Sequence, residues 1–444
     1  MSDMLSIGAS GVRTYQTALT TTSENIANAG TAGYTRRVAT VREVAAATDG
    51  SNTVSNGLGA TIGGIVRNAD AARSADVRAA GADLARSEAG VVWLERIEGG
   101  LTGNKLDERL TAFFNAATTL AADPTASAAR ATMLQSAAAL ASAFSATGTA
   151  LDGALADLDM SADAATGQLN HLTASLAKVN SGLGRVAPGT SSQAALLDER
   201  DRLLESMSAL TEVAVQFDAA GRVSVKAGAG GPLLVHGDQA AIATYARGPE
   251  CAVSFAVYGL EGTRPLNPSA GALAGFSESA SRIADARDVL DVLAAAFVDG
   301  VNAVQAGGED QNGNAGAPMF EGATATTVRL VLNDPRGIAA ASPGAGERDN
   351  GNLAALASLR STGGFEPALT NLTTANASAL AGRRSIADVQ TTIRDNAVAA
   401  RDAITGVNID EEAVDLIRFQ QAYQASSRVI QIARETLETI FNIR

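Results

Sequence analysis

At 444 residues, 46% hydrophobic but only 4% aromatic, the chain is long enough for two or three domains, and its abundant alanine favours long close-packed helices over a thick sandwich core. Its 47 acidic against 34 basic residues leave a net charge of −13, which argues against nucleic acid as a partner, since phosphate neutralisation needs clustered Lys and Arg. The single cysteine, Cys251, rules out an intrachain disulfide and a cysteine-based metal cluster, and no run approaches the roughly 18 to 20 apolar residues that argue for membrane insertion.

The first predicted element is a helix. Alternate steps of three and four from Leu5 give Gly8, Val12, Tyr15, Leu19, Thr22, Ile26 and Ala29, a heptad seam that Gly30 stops. About 25 residues make a helix of roughly 40 Å. Residues 30–64, rich in Gly, Thr, Asn and Ser, read as a loop with one or two short strands near 37–44 and 61–66. Residues 68–182 are almost continuously helical in pattern, with breaks expected at Gly99-Gly100, before Asp107, and at Asp123-Pro124, where proline opens the next helix. A further helix is expected over 192–210. Its alternating charges are those of a solvated face.

The pattern changes near Glu212. Runs at 213–217, 222–225, 233–235 and 252–258 are rich in Val and Phe and separated by Gly-rich turns, which predicts a small β insertion. Helix returns near Ser269, where Ile283, Ala286, Leu290, Leu293 and Phe297 repeat the three-four spacing. A β-prone run at 327–332 and a Gly-, Pro- and Asp-rich loop precede a helix over 372–404. The terminal helix follows, with Gly406 before it, Asn408 as N-cap with Glu411 three residues on, and Asp410 and Glu412 at the positive end of its dipole. Its seam is Leu416, Phe419, Tyr423, Ser426, Ile430, Ala433, Leu437 and Ile440. A seam of this kind asks for a second helix, and the front of the chain supplies one.

The two halves mirror each other. The expected fold is mainly α with a small β insertion: terminal helices forming a coiled-coil-like pair, a long-helix bundle and an inserted β domain, nested as residues 1–66 with 405–444, 67–211 with 270–404, and 212–269.

Chemical sites are sparse. His171 and His236, the only histidines, fall in different predicted domains, so a Ser-His-Asp or His-rich metal site is hard to build. Asp310, Asn312, Asn314 and Glu321 occupy positions one, three, five and twelve of a calcium loop, but Ala315 stands where that motif needs Gly, so a polar turn is the better expectation. The glycines around Gly231 lack a following Gly-Lys-Ser/Thr and read as a hairpin turn. No catalytic residue, cofactor or metal is expected. Arg36 and Arg37 read as part of a loop anchored by Tyr34.

SENIANAGTAGYTRR, residues 23–37, resembles the signature that closes the N-terminal helix in bacterial flagellar axial proteins, the rod, hook and hook-associated group. GVNIDEEAVDLIRFQQAYQASSRVIQIARETLETIFNIR, from Gly406, resembles the matching C-terminal segment, and LLDERDRLLESMSALTEV, NGNAGAPMF and RDNGNLAALASL extend the likeness over nearly the whole chain. The hook-associated branch fits best, because hook and rod subunits are expected to lack the helical block at 68–210. The β insertion, about 60 residues, is smaller than the outer region its members often carry.

The resemblance implies a non-enzymatic subunit of the hook-filament junction that polymerises through its terminal helices. The alternatives are a hook or rod subunit, a flagellum-associated cell-wall hydrolase, and a cytoplasmic alanine-rich scaffold. Implied partners are other copies of the chain in a ring or short helical tube, hook protein, a second junction protein, and an export chaperone on the C-terminal helix. The N-terminus lacks the basic, apolar and small-residue regions of a cleaved signal, which alone suggests the cytoplasm; the resemblance implies instead type III export to the extracellular flagellum without cleavage. The residues expected to carry assembly are Leu5, Val12, Tyr15, Leu19, Ile26 and Tyr34 at the front, with Leu416, Phe419, Tyr423, Ile430, Leu437 and Ile440 at the back.

Overall fold

A computed structural model describes residues 2–44, 59–248 and 251–442; the middle of the loop expected over 30–64 lies outside the described residues. The chain opens with α1 (Ser2–Asn28) and an antiparallel hairpin of β1 (Arg37–Glu43) and β2 (Ala60–Arg67), whose register shifts between Thr40 and Val41. Four helices follow: α2 (Ala71–Gly103), α3 (Leu106–Ala122), α4 (Ser127–Leu183) and α5 (Ser191–Leu210). Two helix boundaries differ from expectation. The helix α2 runs through Gly99-Gly100, where Gly100 packs against Ala150 and Leu151 of α4 and Gly99 faces open space. The break expected before Asp107 is found, at Asn104 and Lys105, where Lys105 has a φ of 52°. Pro124 sits in the turn before α4 rather than in its first helical position, with Asp123 accepting from the backbone and hydroxyl of Thr125.

The helix α4 is the spine of the body. At 57 residues it is about 85 Å long. Its N-terminal half lies in a core with α2, α3 and α6 (Ala272–Ala306), where Phe113, Phe144 and Phe297 are fully buried. Its C-terminal half, including Leu169 and Leu176, packs with α5 and the inserted β structure. Alanine permits this, since small side chains let several helices approach one axis.

The insertion is two sheets, not the four strands read from sequence. The first orders β3 (Val213–Phe217), β4 (Val223–Ala227), β5 (Leu233–His236) and β6 (Gln239–Ala240); the second orders β7 (Ile242–Arg247), β8 (Val253–Gly259) and β9 (Gly262–Leu266). The unanticipated β7 and β9 are held by pairing to β8, a tertiary decision that overrides weak local preference. Short strands β10 (Phe320–Glu321) and β11 (Arg329–Leu330) then pair, and an unanticipated helix α7 (Gly351–Gly363) precedes α8 (Phe365–Thr405) and α9 (Ile409–Phe441). Gly364, with φ of 63°, ends α7 and opens α8, so α8 begins seven residues before the expected start.

The helix α6 does have the length and hydropathy of a membrane span, contrary to the sequence expectation. One face of it is spent inside the protein, where Ile283, Leu290 and Phe297 are wholly buried against α2, α3 and α4, while Val289 and Val292 on the other face stay exposed.

Candidate functional site

The terminal helices pair with each other, antiparallel, within one chain. A Cβ at Gly8 would lie 2.6 Å from Ile430 Cγ1, one at Gly11 2.6 Å from Ser426 Oγ, and the rings of Tyr15 and Phe419 sit 6.4 Å apart. The two seams therefore meet. Leu5, Val12, Tyr15, Leu19 and Ile26 on α1, and Leu416, Phe419, Tyr423, Ile430 and Leu437 on α9, are all half-buried, whereas Ile440 is 52% exposed.

The most buried line on α1 is made of smaller residues: Gly8, Gly11, Thr14, Ala18, Thr21, Thr22 and Asn25. Two neighbours explain it: Gly8 and Gly11 lie against Ile430 and Ser426 of α9, and the hairpin covers the residues that follow. The Thr14 hydroxyl donates to the Ala60 carbonyl at 2.9 Å, so β2 approaches α1 on the side of its small residues. Large side chains advertise a seam to a sequence reader, but close approach of a helix or strand selects small ones.

At the end of the pair nearest the body lies a polar clasp. Asn25, 1% exposed, uses both sides of its amide: Nδ2 donates to the Arg37 carbonyl at 2.8 Å and to Glu412 Oε2 at 2.9 Å, while Oδ1 accepts from the Tyr34 hydroxyl at 2.9 Å and from the Arg37 N–H at 3.0 Å. Glu412, also 1% exposed, takes Arg36 Nε at 2.6 Å. Arg37 continues to Asp198 of α5 at 3.0 Å, and Asp198 is shared with Arg67 of β2 at 2.9 Å. The expected anchor Tyr34 is half-buried there, with the Arg37 guanidinium 4.8 Å above its ring.

Alternating charges thus join α9, β1, β2 and α5. No residue of α1 or α9 belongs to either apolar core of the body among the described residues. Polar contacts carry the joint. The sequence gives Asn25 and Arg67 no role, reads Glu412 only as a charge at the helix dipole, and reads Asp198 as part of a solvated face. Asp198 and Arg200 are instead buried, because Arg37 and Arg67 close over α5. The available signal is a polar residue beside each seam, ahead of Ile26 and ahead of Leu416.

Burial pushes the Tyr34 hydroxyl up to about 12, against the lowering effect of Arg37. A phenol whose folded value lies above its unfolded value near 10 contributes stability that is whole below pH 10 and is lost as pH rises through 12. Tyr34→Phe should remove this alkaline step. Tyrosinate absorbance of the two proteins, recorded with amide exchange in α1 from pH 9 to 12, checks it; an unchanged alkaline loss in the variant would assign the step elsewhere.

The other candidate chemistry resolves into turns. Asp310 Oδ1 accepts from the backbone N–H of Asn312 and Asn314, both at 2.8 Å, and Glu321 pairs with Arg329 across β10 and β11. Gly231 lies in the turn between β4 and β5, where a Cβ would strike the Ala227 carbonyl. His236 contacts Ser224 Oγ at 2.9 Å. Among the described residues no three His, Cys, Asp or Glu side chains converge as a metal site.

Comparison with known proteins agrees with this geometry. Residues 94–320 match the family model described as the flagellar hook-associated protein FlgK helical domain, and residues 403–443 match the flagellar basal body rod FlgEFG protein C-terminal model. The chain is similar to flagellar hook-associated protein 1 of Escherichia coli K12, 25% identical over 552 aligned positions with all of both chains covered. It is also 25% identical to flagellar hook-associated protein 1 of Bacillus subtilis 168, over 96% of this chain and 95% of the relative. Among solved structures it resembles the flagellar hook junction protein FlgK from Burkholderia pseudomallei, with a TM-score of 0.51 and 24% identity over 56% of this chain and 46% of that one, a likeness of fold. With just over half of its residues matched by the helical-domain model, the chain belongs to the flagellar hook-associated protein FlgK family.

Proposed function

We propose that this chain is a structural, non-enzymatic subunit of the hook-filament junction, a flagellar component outside the cell that assembles with copies of itself and with hook components. The observation that carries the reading is what the fold leaves uncovered. Nine of the twenty large hydrophobic side chains exposed among the described residues lie on α8 and α9, including Ile386, Val389 and Ile393 on one helix and Val414, Ile417 and Ile432 on the other. Bare aliphatic faces at helical spacing mark contacts with other protein.

The nested layout of residues 1–66 with 405–444, 67–211 with 270–404, and 212–269 is our division, supported by the antiparallel pairing of α1 with α9 and of α2 with α8, each from opposite ends of the chain. The matched helical block separates the reading from a hook or rod subunit. In this account Leu5, Val12, Tyr15, Leu19, Ile26, Leu416, Phe419, Tyr423, Ile430 and Leu437 build the pair, Tyr34 seats it, and Ile440 with the outer face of α9 meets neighbours. Export without cleavage fits a first helix whose Gly8 and Gly11 are needed in the pair. A second junction protein beyond the hook and an export chaperone on α9 complete the proposed partners.

Ile417→Asp tests the reading. The side chain is 56% exposed, so the monomer should fold as before, while a carboxylate in an intersubunit contact forfeits roughly 2–3 kcal/mol. Recovery of the variant in sheared flagella should fall at least tenfold, and Gln431→Asp, an exposed polar position, should not change it. Normal recovery of the Ile417 variant would remove the outer face of α9 from assembly; absence of the wild-type protein from flagella would remove the function.

A further inference from the structure

We infer that Arg78 is an alternate partner for Asp201, taken up when Arg67 leaves, so that the joint between the body and the terminal unit of α1, β1, β2 and α9 has a second, released arrangement. The inference concerns a single chain and stands apart from the polymer reading. Its starting observation is an anomaly. Arg78 of α2 is 6% exposed, yet it makes no hydrogen bond and no ion pair among the described residues. The other arginines of the joint, Arg36, Arg37, Arg67 and Arg401, each hold a carboxylate. Burial pushes the Arg78 guanidinium below the ordinary arginine value, against the raising effect of Asp201 and Glu205 on α5 and with the lowering effect of Arg200. A buried cation without a partner destabilises the arrangement that contains it.

Both carboxylates that Arg78 faces are occupied. Asp201 takes Arg67 Nη2 on Oδ2 at 2.7 Å and Arg200 Nη2 on Oδ1 at 2.6 Å, while Glu205 takes Arg401 Nη1 at 2.5 Å. Of these three cations Arg67 alone belongs to the hairpin, since Arg200 lies on α5 and Arg401 on α8. Departure of the hairpin therefore empties Oδ2 of Asp201 and leaves Glu205 paired.

Room and connectivity agree. A cleft of about 520 Å³ opens at the joint, lined by Ser74, Asp201 and Glu205 of the body and by Tyr34 and Arg67 of the terminal unit. Ser74 precedes Arg78 by one turn of α2, about 6 Å, within the length of an arginine side chain. The chain crosses between the two units only at 67–70 and 405–408, and Asn68 Nδ2 donates to the Ile404 carbonyl at 2.6 Å, which ties the crossings into one pivot. Neither apolar core contains a residue of α1, β1, β2 or α9 among those described, so turning about this pivot opens neither. In the seated arrangement Arg78 is a buried charge without a partner; in the released one it holds Asp201. Both differences favour release, so Arg78 sets how often the terminal unit lets go.

Two amides report release directly. The Arg36 N–H donates to the Thr405 carbonyl at 2.9 Å and the Ile65 N–H to the Gly189 carbonyl at 2.7 Å, each from the terminal unit to the body. In the purified full-length chain, Arg78→Met keeps the apolar stem and removes the charge, and hydrogen exchange at Arg36 and Ile65 should slow at least tenfold with α3, α4 and α6 unchanged. Arg78→Gln, polar but uncharged, should fall between. A purely structural Arg78 would give the opposite sign, because lost packing speeds exchange. The second arm is Arg67→Ala, which frees Asp201 in the seated arrangement as well, so that Arg78 has its partner in both. In that background Arg78→Met should no longer slow exchange at either amide. Unchanged or faster exchange in the single variants, or equal slowing in both backgrounds, would overturn the swap of partners while leaving the junction function intact.

Discussion

Phe297→Ala is expected to lower the stability of the helical body by about 3–5 kcal/mol, the range for deleting a fully buried phenyl ring from a core that cannot collapse around the gap. Phe297 is the hub of an aromatic cluster. Its ring lies 5.4 Å from Phe113, 5.7 Å from Phe144, 5.4 Å from Phe320 and 5.5 Å from Phe365, so its removal deprives α3, α4, α8 and the β10 strand of a common contact. Edge-to-face pairs add to the loss beyond the area buried. Denaturant unfolding followed by near-ultraviolet dichroism should show a lower midpoint at unchanged slope, with Phe297→Leu recovering more than half of it. A loss below about 1 kcal/mol would mean that the neighbouring rings repack into the space.

Asp198→Ala acts on the joint instead. Asp198 is 4% exposed and stands between Arg37 and Arg67, so alanine leaves two guanidinium groups facing each other with only Glu24 and Asp201 to answer them. Removing one partner from a buried ionic cluster typically costs about 3–5 kcal/mol, because the desolvated charge remains. The loss should be local. Amide exchange is expected to quicken across α1, β1, β2 and the start of α9, with protection of α3, α4 and α6 unchanged, since neither apolar core contains a residue of α1 or α9 among those described. Asp198→Asn, which keeps the shape and some hydrogen bonds, should fall between. Equal loss of protection throughout the body would show that Asp198 supports α5 packing and not the seat of the terminal pair.

The difference between these two sites also marks what the sequence alone determined. The ring at Phe297 was legible, because a helix that repeats Ile283, Ala286, Leu290, Leu293 and Phe297 at three-four spacing has only one way to bury them. The heptads of α1 and α9, the capped start of α9 at Asn408 and the switch to β structure after Glu212 were legible for the same reason: each is a local pattern that a short window contains whole.

What tertiary structure decided involves partners far apart in the chain. Asn25 meets Glu412 across 387 positions, and Arg37 meets Asp198 across 161, so no local pattern announced the clasp. The strands β7 and β9 exist because β8 pairs with them, and α2 continues through two glycines while packed along α4 and α8. Periodicity identified the faces of α1 and α9 that could pair. Which faces remained bare for another copy depended on where the hairpin and the partner helix came to lie, and only the assembled fold carries that information.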